Sequence, residues 1–310
     1  MGFKRLLKKV IKKRPQMTTN ENSEPIYLNL LTDFGFKKIF GEENSKEILI
    51  DFLNEILRPK GIQLSSIYYQ NTELIGKQDS VRSVFFDLYC KTSEGEDIIV
   101  EIQRASQLYF KDRTVAYASA AIQKQTQKRK DWNYQLKPVY LIAIMDFAFK
   151  EEFGLTDKLL NYVQLTDLES GNIFYQKLLL VYLKIGKFTK TEEELETHFD
   201  KWLYLIRNLG QLQEIPIQLK ESIFMSVMEK AKVGKLSKSD RFLYDQSLKA
   251  YRDNYAALET ARYEGKVEGK VENTQEIAIN LINLGASLEL ISQATGLNVE
   301  DIEKLKDSMK

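Results

Sequence analysis

Apolar and polar positions change period several times along these 310 residues, and each change marks an element. Pro15 to Pro25 is polar and aperiodic, so ordered structure is expected from about Ile26. Phe36, Ile39 and Phe40 recur at helical spacing, with Thr32 or Asp33 placed to cap that helix and Gly41 to interrupt it. A second helix is expected from Asn44 or Ser45, with Ile48, Leu49, Phe52, Leu53, Ile56 and Leu57 on one face. Pro59 and Gly61 close it. The texture then turns aromatic and β-branched. Residues 62–74, 80–90 and 96–103 read as three strands, the last two joined by the turn Thr92-Ser93-Glu94-Gly95, which makes an antiparallel meander.

Residues 105–130 return to helical spacing, and 139–147 are nearly all apolar, as expected of a strand covered on both faces. The order helix, three strands, helix, strand predicts an α/β sandwich with that buried strand at the edge of the sheet. Residues 171–188 suit a further hairpin arm. Residues 192–262 read as helical, with Trp202, Leu205, Ile206 and Leu209 on one face. The repeat Glu264-Gly265-Lys266-Val267, Glu268-Gly269-Lys270-Val271 precedes three short helices expected over 274–284, 287–295 and 299–307, parted by Gly285 and Gly296. The chain therefore divides into a basic extension (1–25), a core (26–150), a strand hairpin with a helical extension (151–262) and a helical tail (263–310).

Composition narrows the classes. With 43% apolar and 29% charged residues the chain is an ordinary globular one, long enough for about two domains. A single cysteine, Cys90, excludes an intramolecular disulfide and a Cys-rich zinc site, and suits a reducing compartment such as the cytoplasm. A single histidine, His198, excludes chemistry needing two. Both read as structural. No apolar run approaches the roughly 20 residues that span a bilayer. Net charge is +1, yet residues 1–25 hold seven basic and two acidic residues, which leaves −4 for the remainder. That head suits a basic surface helix or, preferably, an extension upstream of Met17. A polyanion would have to be met on a local basic face.

One constellation carries chemistry. Glu101 and Gln103 are two apart on the third strand and point to one face. A suitable register across the hairpin brings Asp87 alongside, giving two carboxylates and an amide in an apolar sheet. Carboxylates so placed repel one another, and a hard cation such as Mg²⁺ relieves the repulsion. The plain alternative is a solvated sheet face with each carboxylate paired to a lysine. Asp33 reads as a cap or as a loop residue approaching the site, and Glu47 as exposed or as a further carboxylate. The following helix is basic, with Arg104, Lys111, Arg113, Lys124, Lys128, Arg129 and Lys130 against Asp112 and Asp131. Such a face positions DNA through its phosphates without reading sequence. No phosphate-binding glycine loop or dinucleotide pattern is present. The tail suits a helix-turn-helix-like unit or a homodimer contact, and the acidic Glu300, Asp301 and Glu303 favour the latter.

The stretches TDFGFKKIFG, SVFFDLYC and IIVEIQ, with a helix carrying Arg113, Tyr117 and Gln125, resemble the PD-(D/E)XK nuclease-like transposases. More narrowly they are similar to the recombination-promoting nuclease family. The resemblance covers about residues 28–260. It implies a restriction-endonuclease-like αβββαβ core and a Mg²⁺-dependent DNA endonuclease, Mn²⁺ being an alternative metal, that acts in recombination or on mobile elements. Asp87 and Glu101 match the acidic positions that bind metal. Gln103 stands where lysine is usual in the wider superfamily, and Phe86 where proline names the motif. Asp33, Glu47, Arg104, Lys111, Arg113 and Gln125 are the DNA-contacting or supporting candidates. The competing reading is a nuclease fold without activity that binds DNA or protein.

Overall fold

The helix foreseen around Phe36 is α1 (Asp33–Phe40), and its cap is Thr32 rather than Asp33. The Thr32 hydroxyl accepts from the Gly35 N–H at 3.0 Å and donates to the Asn29 carbonyl at 2.6 Å. The computed structural model describes residues 25–74, 84–104, 109–126, 133–147 and 154–309. The basic head and the Lys128 to Asp131 cluster lie outside the described residues. A 3₁₀ turn leads into α2 (Lys46–Leu57), which stops at a second such turn containing Pro59, with Gly61 left-handed at φ 73°. Both helices follow the expected pattern because caps and breakers sit at their ends.

Six strands form one sheet: β1 (Ile67–Tyr69), β4 (Leu88–Thr92), β5 (Asp97–Gln103), β6 (Val139–Met145), β8 (Ile173–Leu183) and β7 (Leu160–Thr166), in that spatial order. Two residues each of β2 (Glu73–Leu74) and β3 (Val84–Phe85) pair separately. The strands expected over 62–74 and 80–90 are thus each broken in two, the second at Phe86 and Asp87. Strand β6 is interior, not at the edge: it lies parallel to both β5 and β8. The chain supplies two further strands beyond it. Of these, β7 escapes a period-2 reading because its ladder shifts register between Val163 and Thr166, so its apolar residues do not alternate cleanly.

All residues of β5 and β6 are buried. Alternation splits them between two cores. Ile98, Val100 and Ile102 of β5 join Tyr140, Ile142 and Ile144 of β6 against α1, α2 and the C-terminal helices of this unit. The opposite face packs on α3 (Phe110–Gln125), where β5 contributes only Ile99 as an apolar residue. Its other side chains of that parity are Asp97, Glu101 and Gln103, each buried.

The helical stretch expected over 192–262 is α4 (His198–Asn208), α5 (Ser222–Lys230) and the start of α6 (Lys238–Asn283), separated by 3₁₀ turns. Pro216 breaks the first gap, since it disfavours helix in the residue before it. Asp51 of α2 accepts from Trp202 Nε1 at 2.7 Å and lies 2.6 Å from His198 Nε2, while His198 Nδ1 is 3.0 Å from Glu221. His198 therefore ties α2, α4 and the start of α5 together, as its structural reading required. The chain divides into two compact units, one Glu24–Asp253 and one that includes Asn254–Lys310. In the second, the helix expected over 274–284 is the end of α6, followed by α7 (Leu288–Thr295) and α8 (Val299–Ser308) around Ala278, Ile291, Leu297 and Ile302.

Two glycines in helices respond oppositely to a side chain. A Cβ on Gly35 would stand 2.2 Å from the Asn29 carbonyl oxygen and 2.7 Å from Thr32 Oγ1, whereas one on Gly269 would meet nothing. Gly35→Ala should lower the unfolding free energy by about 3 kcal/mol, at the upper end of overpacking costs. Gly269→Ala should raise the local helix stability by about 1 kcal/mol. Urea titrations with circular dichroism measure both, and equal effects would refute the packing at Gly35.

Candidate active site

The site follows from the register of two strands. Leu88 of β4 faces Val100 of β5, so Asp87, one residue before β4, stands opposite Glu101. The contact is direct: the Asp87 N–H donates to Glu101 Oε1 at 3.2 Å, and Asp87 Oδ2 accepts the Ile102 N–H at 2.7 Å. The break at Asp87 frees its N–H for the first of these bonds, and its side chain accepts the second. Glu101 is 5% exposed. Burial, then the neighbouring Asp87 carboxylate, push Glu101 up to about 8. Burial likewise raises Asp87, against the Ile102 N–H and the Lys37 and Arg104 charges, which lower it.

Gln103, two residues on, shares the face of Glu101 and is 7% exposed. Its Oε1 accepts from the Arg113 guanidinium. Arg113 comes from the first turns of α3 and lies over the rings of Phe110 and Tyr117, 5.1 and 5.8 Å from their centroids. It is thus turned into the sheet. From the other side, α1 approaches β4 at its C-terminal end, where a Cβ on Gly41 would lie 3.0 Å from Leu88 Cδ2. Lys37, one turn earlier on α1, pairs with Asp33 at 3.0 Å, and its charge reaches both Asp87 and Glu101.

Other candidates stand apart. Gln125 is at the far end of α3. Its Nε2 donates to Asp97 Oδ2 at 2.6 Å and its Oε1 accepts the Lys137 N–H at 2.8 Å. Asp97 opens β5 and Glu101 stands four residues on, so the Gln125 contact is about 13 Å along the strand from the acid pair at 3.3 Å per residue. Glu47 is exposed in the first turn of α2 and touches neither carboxylate among the described residues. Lys111 is exposed at the start of α3. Lys124 reaches back over the Tyr89 ring at 4.5 Å.

Sequence reasoning missed two acids. Asp97 is fully buried, with its carboxylate taken by Tyr89 Oη at 2.6 Å, Lys91 at 2.7 Å and Gln125. It is a satisfied structural group. Asp146, just past β6, donates its N–H to the Gln103 carbonyl at 2.9 Å, which sets it beside the end of β5. Burial raises its carboxyl, opposed by the charge of Arg207, a hydrogen bond from Tyr251 and the charge of Arg104. Its signal in the sequence was position alone: an acid directly after a buried strand parallel to β5.

Two buried acids at facing positions, one pushed toward its protonated form by its surroundings, make a hard oxygen pair that takes a proton or a cation. Among the described residues no group of three or more His, Cys, Asp or Glu could hold a metal ion. Two carboxylates are nonetheless the number Mg²⁺ commonly uses, beside water and phosphate oxygens. Among the described residues no helix is long and apolar enough to cross a membrane.

Residues 30–261 match the family model described as PD-(D/E)XK nuclease family transposase. No curated protein and no solved structure matches the chain.

The raised Glu101 has a pH signature. In EDTA, the folded chain keeps the Glu101 proton up to about 8, while the unfolded chain releases it near 4.5. The folded state binds more protons between those values, so stability falls as pH rises through that window. The melting temperature of the unsubstituted protein should therefore drop relative to Glu101→Gln between about pH 5 and pH 8. Parallel melting curves for the two proteins across that range would contradict the raised value.

Proposed function

Because the chain belongs to the PD-(D/E)XK nuclease family transposases, we propose that it is a divalent-metal-dependent DNA endonuclease of the cytoplasm, hydrolysing phosphodiester bonds in recombination or mobile-element transactions. The observation that supports this most is the buried pairing of Asp87 with Glu101, where the Asp87 N–H binds the Glu101 carboxylate. Two like charges in such a place are stable only if a proton or a cation is shared between them. Asp87 and Glu101 are the residues that would hold Mg²⁺ or Mn²⁺. When bound, the cation supplies a Lewis acid for the phosphoryl group and a lower pKa for an attacking water.

The chain's own residues do the rest. The Ile102 N–H holds Asp87 Oδ2, and the Asp87 N–H holds Glu101 Oε1, so both carboxylates are oriented by backbone. Gln103, fixed by Arg113, orients the attacking water through its amide. Glutamine brings no charge to this place, so charge must come from elsewhere. Lys111, exposed at the start of α3, is placed to meet the DNA backbone, whereas Arg113 acts indirectly, by holding Gln103.

Nicking of supercoiled plasmid in Mg²⁺ tests this reading. Asp87→Ala and Glu101→Ala should each slow nicking by more than the roughly 10- to 100-fold lost with an outer-shell partner, and EDTA should abolish it. Nicking that survives both substitutions would move the site elsewhere. DNA binding with no nicking by the unsubstituted protein would leave a binding module on a nuclease fold.

A further inference from the structure

Directly after Gln103 stands Arg104, half-buried at the end of β5. Its Nε is buried with no hydrogen-bond partner among the described residues, and there no ion pair forms to its guanidinium. Yet three acids lie near enough for their charge to act on it, Asp33 of α1, Asp87 of the acid pair and Asp146 beyond β6, together with the Tyr251 hydroxyl. Elsewhere in this unit cations near buried carboxylates close on them, as Lys91 does on Asp97 at 2.7 Å and Lys190 on Asp200 at 2.9 Å. The nearby acids have partners of their own. Asp33 is paired with Lys37 at 3.0 Å, Asp87 is held by the Ile102 N–H at 2.7 Å, and Asp146 is bonded by Tyr251 at 3.3 Å. A guanidinium carries five N–H donors in a fixed fork that fits two oxygens of one phosphate. Leaving its buried Nε unbonded is costly unless a ligand completes the fork.

We propose that Arg104 is a phosphate-binding residue of the site, its guanidinium taking the non-bridging oxygens of the scissile phosphodiester and bringing the positive charge that Gln103 lacks. Strand β5 and the residue that follows it then carry three functions: Glu101 to a cation, Gln103 to water, Arg104 to substrate. The acids around Arg104 hold its fork at the site without consuming its donors. This assignment rests on the nuclease reading, but it is separable from it by experiment.

Binding of a fluorescein-labelled DNA duplex, followed by anisotropy in EDTA from about 50 to 300 mM salt, reads the phosphate contact without cleavage. The slope of log affinity against log salt should be smaller by about one for Arg104→Gln than for the unsubstituted protein, and unchanged for Arg104→Lys. A purely structural arginine would leave the slope as it is. In Mg²⁺, Arg104→Gln should also slow plasmid nicking by about a hundredfold, the loss typical of a missing transition-state donor. If Arg104→Gln does not fold, Arg104→Met, which keeps the aliphatic stem, replaces it. An unchanged salt slope overturns the assignment whatever the nicking rate. A reduced slope with no nicking by the unsubstituted protein keeps Arg104 as a phosphate contact and overturns the nuclease reading instead.

Discussion

The antiparallel register of β4 against β5, with Leu88 facing Val100, decides where the two acids of the candidate site stand relative to each other. A slip of one residue would send Glu101 and Gln103 into the core that now receives Val100 and Ile102, and those apolar side chains toward α3. The register is pinned at both ends. The tight turn at Gly95 fixes one, where φ is 84° and its N–H bonds the Thr92 carbonyl. Two backbone bonds to the carboxylates of Asp87 and Glu101 fix the other. The acid pair is in this sense part of the sheet's own hydrogen bonding. Chemistry and fold share the same atoms.

The face of β5 toward α3 shows how the two demands are reconciled. Its polar side chains are spaced along one buried row, and each end is treated differently. At Asp97 the carboxylate is saturated by a tyrosine, a lysine and a glutamine. At Glu101 it receives the Asp87 N–H, and burial and the Asp87 charge push it up to about 8. The same residue chemistry on the same strand is satisfied at one end and raised toward protonation at the other, and the partners make the difference. Helix α3 serves both: Gln125 closes the first end and Arg113 braces the second.

Much of this was legible in order of sequence distance. Helices α1 and α2 could be read from Thr32, Gly41, Pro59 and Gly61 because caps and breakers act within a few residues. The β4–β5 hairpin could be read because its turn is local, and the placement of Asp87 opposite Glu101 follows from it. Asp146 and Tyr251 were not legible. They reach the site through the parallel pairing of β5 with β6 and through the packing of α6, contacts between segments far apart in the chain. Strand β7 was lost to its register shifts, and the arm expected over 171–188, which is β8, gave no sign of pairing beside β6, so the interior place of β6 was hidden. Gln125 illustrates the converse case. It sits on the right helix, but a 16-residue helix is about 24 Å long, and it lies at the wrong end.

Cys90 lies in the middle of β4, fully buried, with burial pushing its thiol up to about 12. It is also the sole sulfhydryl of the chain. A thiol reagent can therefore reach it only when β4 parts from its neighbours, and the labelling rate measures how often that happens. The protein carries, three residues from Asp87, a native clock for the breathing of the hairpin that aligns its acid pair. The clock needs no engineered label, and it can be read with the site empty or filled.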